Sequence, residues 1–158
     1  MVSLVEVNET NYLTVCGLKV TDEQAGYVAT PTRILASAYA MRNQNARVWA
    51  ISNDEIVIGV LMVKDLIDEP VGYTIEQFMI DHKYQNRGYG GAALKLVIDA
   101  LSAERKHDII DICVKIEDKH AIRLYEHAGF VDTGYIDPEN PDSFCLRYTF
   151  GHFTEGKS

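Results

Sequence analysis

The chain has 158 residues, 47% of them hydrophobic and 24% charged, enough for one domain with a real core and too apolar for a disordered segment. Its formal charge of -8, from 15 Lys and Arg against 23 Asp and Glu, argues against nucleic acid as a partner, because phosphate binding needs a basic face. The same balance suits a cationic ligand, and solubility alone also accounts for it. No apolar run is long enough to cross a bilayer, so no membrane partner is expected. Residues 1–7 carry Glu6 and no basic segment, so no secretory leader is predicted and the cytosol is the expected location.

Residues 4–7 alternate apolar and polar side chains and predict a short first strand. Asn8 or Thr10 is placed to cap a helix that carries Tyr12, Leu13 and Cys16 and runs toward Leu18. Thr30-Pro31 marks a second helix start: a hydroxyl cap, then proline where its missing N–H costs nothing. Ile34, Leu35, Ala38 and Tyr39 follow at helical spacing. Residues 48–51 and 56–63 read as an antiparallel hairpin around the polar turn Asn53-Asp54-Glu55. An acidic, proline-containing loop spans 65–72, and residues 73–80 form the next strand, ending at Asp81.

A glycine-rich turn follows, Gln85-Asn86-Arg87-Gly88-Tyr89-Gly90-Gly91. The helix behind it sets Leu94, Val97, Ile98 and Leu101 on one face. Residues 109–116 form an apolar-rich strand expected in the middle of the sheet. Asp118 suits the cap of a last helix with Ala121, Leu124, Tyr125 and Ala128 on its inner face, ended by Gly129 and Phe130. Residues 131–136 and 144–150 read as two closing strands, and the tail after Phe150 is expected to fray. No repeat or linker interrupts the pattern, which predicts a single domain over residues 1–158.

Cys16, Cys113 and Cys145 are far apart in sequence and form no CxxC pair, and Cys113 reads as a small packed hydrophobe in its apolar run. His82, His107, His120, His127 and His152 show no metal-ligand spacing, so no metal is predicted and they read as surface or loop residues.

Two segments carry chemistry. In the turn at 85–91, close glycines let backbone N–H groups converge on an anion, and the following helix adds its positive end. Neither a Walker loop nor a dinucleotide fingerprint is present, and taken alone the turn serves equally well as a tight strand-to-helix connection. The second segment, residues 118–130, places Tyr125 at the inward edge of an amphipathic helix, where its hydroxyl needs a partner or a function.

Together these segments resemble the GNAT superfamily of N-acetyltransferases. Gln85-Asn86-Arg87-Gly88-Tyr89-Gly90 matches the family's Gln/Arg-x-x-Gly-x-Gly/Ala signature. Residues 118–130 match its Asn-x-x-Ala-x-x-Leu-Tyr-x-x-x-Gly-Phe helix, in the family's order and spacing, with Asp118 in place of the usual Asn. The resemblance implies an α/β (α+β) fold: a mixed, mostly antiparallel sheet flanked by helices and splayed open beside its fourth strand, with acetyl-CoA in the opening. By motif position, Phe78, Met79 and Ile80 would hold the pantetheine and thioester. Gln85, Asn86, Arg87, Gly88, Tyr89, Gly90 and Gly91 would hold the pyrophosphate, with Asp118 and Ala121 bordering the cofactor. Family members commonly dimerise through their last strands, so a homodimer is implied as well.

The reaction implied is direct transfer of an acetyl group to a primary amine. Glu76 is the candidate base, because a carboxylate in an apolar-rich strand is costly unless functional or paired with a Lys or Arg. Simple alternation puts Thr74, Glu76, Phe78 and Ile80 on one face. The resemblance assigns Tyr125 as acid for the departing thiolate and the Ile80 N–H as oxyanion donor. Residues 18–39 look like the bacterial diamine and spermine/spermidine acetyltransferase subgroup, which implies a small-molecule polyamine acceptor. Asp22, Glu23, Tyr27, Tyr39 and Trp49 would line an acidic, aromatic channel, extended by Asp65, Asp68 and Glu69. The other reading of Tyr39 and Trp49 is core, and of the loop acids, solvated surface. Alternative readings are acetylation of a protein, an amino acid or an aminoglycoside, or a non-catalytic acetyl-CoA sensor.

Overall fold

The computed structural model describes residues 1–151; His152 and the tail predicted to fray lie outside the described residues. In chain order the elements are β1 (Val2–Glu6), α1 (Tyr12–Cys16), α2 (Pro31–Ala40), β2 (Arg47–Asn53), β3 (Ile56–Leu66), β4 (Gly72–Ile80), α3 (Tyr89–Glu104), β5 (Ile109–Lys115), α4 (Lys119–Ala128), β6 (Val131–Asp132) and β7 (Ser143–Thr149). Single 3₁₀ turns sit at Arg42–Gln44 and His82–Tyr84. The strands form one sheet in the order β1-β2-β3-β4-β5-β7-β6. Every neighbouring pair is antiparallel except β4 and β5, which run parallel because α3 carries the chain across between them. Among the described residues no helix is long and apolar enough to cross a membrane.

The sheet has a core on each face. Leu94, Val97, Ile98 and Leu101 of α3 pack with Tyr125 of α4 against Ile51, Leu61, Val63, Ile75, Ile110 and Ile112, as the stripe on α3 predicts. On the other face Val15, Leu18 and Ile34 cover Ala50, Val60, Met62 and Met79. Thr30 caps α2 as expected, accepting from the Arg33 N–H at 3.3 Å.

Several expectations are corrected. Asn8 and Thr10 do not cap α1; Asn11 holds the N-cap position without a side-chain bond to the helix, and Asn8 Oδ1 accepts from Thr10 instead. Tyr12 and Leu13 face outward, so the inward anchors of this region are Val15 and Leu18. Tyr39 is 70% exposed, with Arg42 stacked over its ring, because the buried stripe of α2 is Ile34 with Leu35 and Ala38. The strand expected at 131–136 is two residues long, since Gly134 takes a left-handed φ of 75° and turns the chain away.

Two irregularities in β4 position the site. Its pairing with β3 steps from Met62↔Gln77 to Val63↔Ile75, so Glu76 has no partner opposite it and forms a bulge. The extra residue resets the alternation. Tyr73 and Ile75 share the α3 face with Phe78 and Ile80, whereas simple alternation had put Glu76 there with Phe78. The second irregularity is that β4 meets β5 only at Tyr73↔Ile110 and Thr74↔Asp111. Beyond Thr74 the two strands diverge, and the sheet opens.

Candidate active site

The opening between β4 and β5 admits side chains from both faces of the sheet. A long groove is bordered by Phe78, Met79 and Ile80, by the turn at 84–91, and by Asp118, Ala121, Leu124 and Tyr125 of the α4 segment. A second, more polar cavity is bordered by Glu76, Gln77, Cys113, Lys115, Asn140 and Ser143. Tyr27, Val28, Phe78, Asp118, Ala121 and Tyr125 border both, so the two spaces meet around Tyr125.

The turn has the geometry of an anion cradle. Asn86 and Gly88 take left-handed φ values of 62° and 82°, which curl the chain sharply into α3. Gly88 is the N-cap and no side chain caps this end. The Ala92 N–H closes the first helical hydrogen bond, to Gly88 O, so helix geometry leaves the Tyr89, Gly90 and Gly91 N–H groups without intrahelical partners. Converging N–H groups at a helix N-terminus suit a pyrophosphate. A Cβ on Gly90 would lie 3.5 Å from Leu124, so any larger side chain there would project into the groove. Arg87 is exposed and borders neither cavity, on the outer side of the turn.

The Gln85 side chain borders the groove and is engaged within the protein. Its amide and that of Gln24 donate to each other at 2.8 and 3.0 Å, and the Gln85 Nε2 also donates to the Ile80 carbonyl at 2.8 Å. It therefore ties the end of β4 to the segment before α2. Gln77 Oε1 accepts from the Ala29 N–H at 2.9 Å and fixes the same segment from the other side. Asp81, 6% exposed, accepts from the Lys19 N–H at 2.9 Å and from the Lys83 N–H at 3.0 Å. Sequence reading missed Gln24, Gln77 and Asp81 as supports; an acid at a strand end beside a turn was the available signal for Asp81 alone.

Tyr125 is 3% exposed and packs against Phe130 and Phe78, with ring centroids 5.4 and 6.3 Å away. Among the described residues nothing hydrogen-bonds its hydroxyl. Burial, and secondly the carboxylate of Asp118, push its ionisation well above the usual tyrosine range, so it stays a proton carrier. Asp118 caps α4 by accepting from the Ala121 N–H at 3.2 Å, so the change from the usual Asn leaves the helix start intact. Glu76 faces Lys64 Nζ at 3.4 Å, an ion pair that leaves the carboxylate 30% exposed to the cavity.

The other predicted acceptor residues are dispersed. Tyr27 borders both cavities, but Glu23, Tyr39 and Trp49 border neither. Trp49 packs in the α3-side core with Arg47 5.3 Å above its ring, which is the core alternative for that residue. Asp65 is buried at the opposite end of β4, bound to Lys106 at 2.5 Å and 3.4 Å from His107, so it adds no field to the site. His107 lies in the loop between α3 and β5 as read, with its ring packed 4.7 Å from that of Tyr73, and His120 borders the groove. Cys113 is exposed rather than packed, facing Cys145 with the sulfurs 3.5 Å apart. Among the described residues no group of three His, Cys, Asp or Glu is placed to hold a metal ion.

The Acetyltransferase (GNAT) family matches residues 12–130 of this sequence, which spans the splayed strand, the cradle and the Tyr125 helix. The chain belongs to the GNAT acetyltransferase family. GNAT enzymes use acetyl-CoA, and the cradle and groove described above fit that donor. The chain is 27% identical over 136 residues to a spermine/spermidine N(1)-acetyltransferase of Bacillus subtilis, covering 86% of this chain and 71% of that protein. Among solved structures, an aminoglycoside acetyltransferase, AAC(6')-Ib, in complex with coenzyme A has the same fold, with a TM-score of 0.80 at 15% identity and full coverage of both chains. A spermidine N-acetyltransferase from Vibrio cholerae in complex with CoA and spermine has a TM-score of 0.69 at 17% identity, covering 92% of each chain. At these identities the structural neighbours share this acetyltransferase's fold.

Proposed function

We propose that this GNAT acetyltransferase moves the acetyl group of acetyl-CoA directly to a primary amine of a polyamine such as spermine or spermidine. The observation that carries the reading is the meeting of two cavities at Tyr125, one bordered by an anion cradle and the other by Glu76. In this reading the N–H groups of Tyr89, Gly90 and Gly91 bind the pyrophosphate, and the backbone at Phe78, Met79 and Ile80 lines the pantetheine and thioester. Acetyl-CoA supplies the activated acetyl carbonyl.

Glu76 attracts the cationic amine and takes its proton, directly or through water, which frees the nitrogen lone pair for the carbonyl carbon. Its pairing with Lys64 sets up an exchange: an incoming ammonium competes with the Lys64 ammonium for the same carboxylate. The Ile80 N–H stabilises the developing oxyanion. As the carbon–sulfur bond breaks, Tyr125, which its raised ionisation keeps protonated, donates its proton to the departing thiolate. Tyr27 offers an aromatic face to the alkylammonium chain where the cavities meet. The Bacillus relative supports a polyamine acceptor, and the Glu76 cavity is chemically apt for one.

The test is thiol release from acetyl-CoA against spermine, spermidine, putrescine, lysine, an aminoglycoside and basic peptides. The expected result is the highest kcat/KM with spermine or spermidine. A higher value with the aminoglycoside or a peptide would reject the polyamine acceptor and keep the acetyltransferase. Acetyl-CoA binding without release on any amine would favour a sensor.

A further inference from the structure

Cys113 of β5 and Cys145 of β7 are directly opposite each other in the antiparallel pair. Their pair type follows from the ladder. The Ile116 N–H donates to the Asp142 carbonyl and the Phe150 N–H to the Asp108 carbonyl, which fixes those two pairs as hydrogen-bonded. Counting in steps of one from either end makes Cys113 and Cys145 a non-hydrogen-bonded pair, the kind in which facing side chains come closest, with Cα atoms about 4.5 Å apart. That spacing falls inside the range a disulfide spans, roughly 4.4–6.8 Å between Cα atoms. The sulfurs are already 3.5 Å apart, and both cysteines are free thiols. Cys113 is exposed and borders the same cavity as Glu76 and Tyr125. Neither thiol has a part in acetyl transfer as derived above.

We infer that Cys113 and Cys145 form a reversible disulfide, made by exchange with a low-molecular-weight disulfide, that reshapes the wall of the acceptor cavity. One protein thiolate attacks the reagent's S–S bond, giving a mixed disulfide and one released thiol. The second protein thiolate then displaces the other half of the reagent. One S–S bond breaks and one forms, the two protein thiols are oxidised, and the reagent leaves as two thiols that carry the two electrons and two protons. Closing the bond draws the sulfurs from 3.5 Å to about 2.05 Å, so the Cys113 sulfur withdraws from the cavity and β5 is stapled to β7. The Cys113 side chain is exposed along the cavity wall but its sulfur is partly enclosed there; that desolvation, and then the hydrogen bond with Cys145, push the thiol up to about 12, which makes attack by Cys113 slow at neutral pH and faster as pH rises.

The consequence for the amine rests on the proposed function, but formation of the bond does not. The protein is incubated with glutathione disulfide, its free thiols are titrated, and its peptides are mapped by mass spectrometry. The expected result is a fall from three free thiols to one, a peptide linking Cys113 to Cys145, and full reversal by dithiothreitol. Three thiols persisting after incubation at pH 9, or a link through Cys16, would overturn the site. In the Cys145→Ser variant the intramolecular link is lost and only glutathionylated protein forms. Because the bond reshapes the wall beside Glu76, oxidised protein is expected to show an apparent KM for the amine changed on the order of tenfold, about 1.4 kcal/mol, with the acetyl-CoA KM unchanged. The Cys145→Ser variant should not show that change after mild oxidation and re-isolation of unmodified protein. Identical amine kinetics in linked and reduced protein would overturn the effect on the cavity. Absence of any acetylation in reduced protein would instead count against the proposed function, while the thiol count still decides whether the site exists.

Discussion

At Tyr125, a ring packed against Phe78 and Phe130 stands where the two cavities meet, so its proton lies at their junction rather than in a closed core. Replacing Tyr125 with Phe keeps the ring contacts to Phe78 and Phe130 and removes only the proton. The expected outcome is a kcat lowered on the order of 10²-fold, the range of general acid–base catalysis, with acetyl-CoA affinity unchanged by calorimetry. An unchanged kcat would remove Tyr125 from the chemistry. Glu76 is argued from the bulge that aims it and from the Lys64 pair that holds it. Glu76→Gln should raise the amine KM and shift the acidic limb of the pH–rate profile, leaving acetyl-CoA binding intact. A profile superimposable on that of the parent would retire Glu76 as base. Both residues were legible as candidates, because a carboxylate in an apolar strand and a tyrosine on a helix's inner edge are each costly without a purpose. The bulge was not legible, since nothing in Tyr73-Thr74-Ile75-Glu76-Gln77-Phe78 marks an inserted residue. The ladder with β3 creates it.

Among the elements, α3 is the best specified. Its glycine-rich start and its buried stripe were readable from spacing, and its open N-terminus is what the cradle requires. Gly90→Tyr should therefore fill the groove beside Leu124 while leaving the helix in place. We expect acetyl-CoA affinity to fall at least about tenfold with an unchanged urea midpoint, and normal affinity in a folded variant would mean that the donor lies elsewhere. The segment between α1 and α2 shows the opposite behaviour. Its Glu23 and Tyr27 looked like a channel together with Tyr39 of α2 and Trp49 of β2, yet of these only Tyr27 borders the cavities. This segment has little periodicity, and its path depends on long-range tethers: Gln24 to Gln85, Ala29 to Gln77 and Lys19 to Asp81.

For the whole molecule, two buried tyrosines couple stability to pH. Burial, and then the hydrogen bond to Glu104, raises the ionisation of Tyr73, and burial raises that of Tyr125. The neutral form is favoured in the folded state. Their contribution is therefore fully present below the ordinary tyrosine value of about 10, and is lost as pH rises above it, because only the unfolded chain then ionises. The expected loss is about 1.4 kcal/mol per pH unit for each tyrosine. Urea unfolding between pH 9 and 11 checks this, and the Tyr125→Phe variant should show the shallower decline. Equal slopes in both proteins would rule out Tyr125 as a source of the alkaline instability.

The sequence by itself determined the class of protein, because its two motifs are local. A glycine-rich turn ahead of an amphipathic helix and a capped helix ending in Gly129-Phe130 need only backbone conformation and short-range periodicity, both written in consecutive residues. The core under α3 and α4 followed for the same reason, since their apolar spacing already selects the buried face, whereas Tyr12 and Leu13 of α1 and Tyr39 of α2 turned outward. Tertiary structure alone decided the divergence of β4 from β5 after Thr74, the bulge at Glu76, and the facing of Cys113 and Cys145 across 32 residues of chain. Strand register is set by pairing between distant segments. A one-residue shift in that pairing moves a side chain from one face of the sheet to the other, and local spacing contains no record of it.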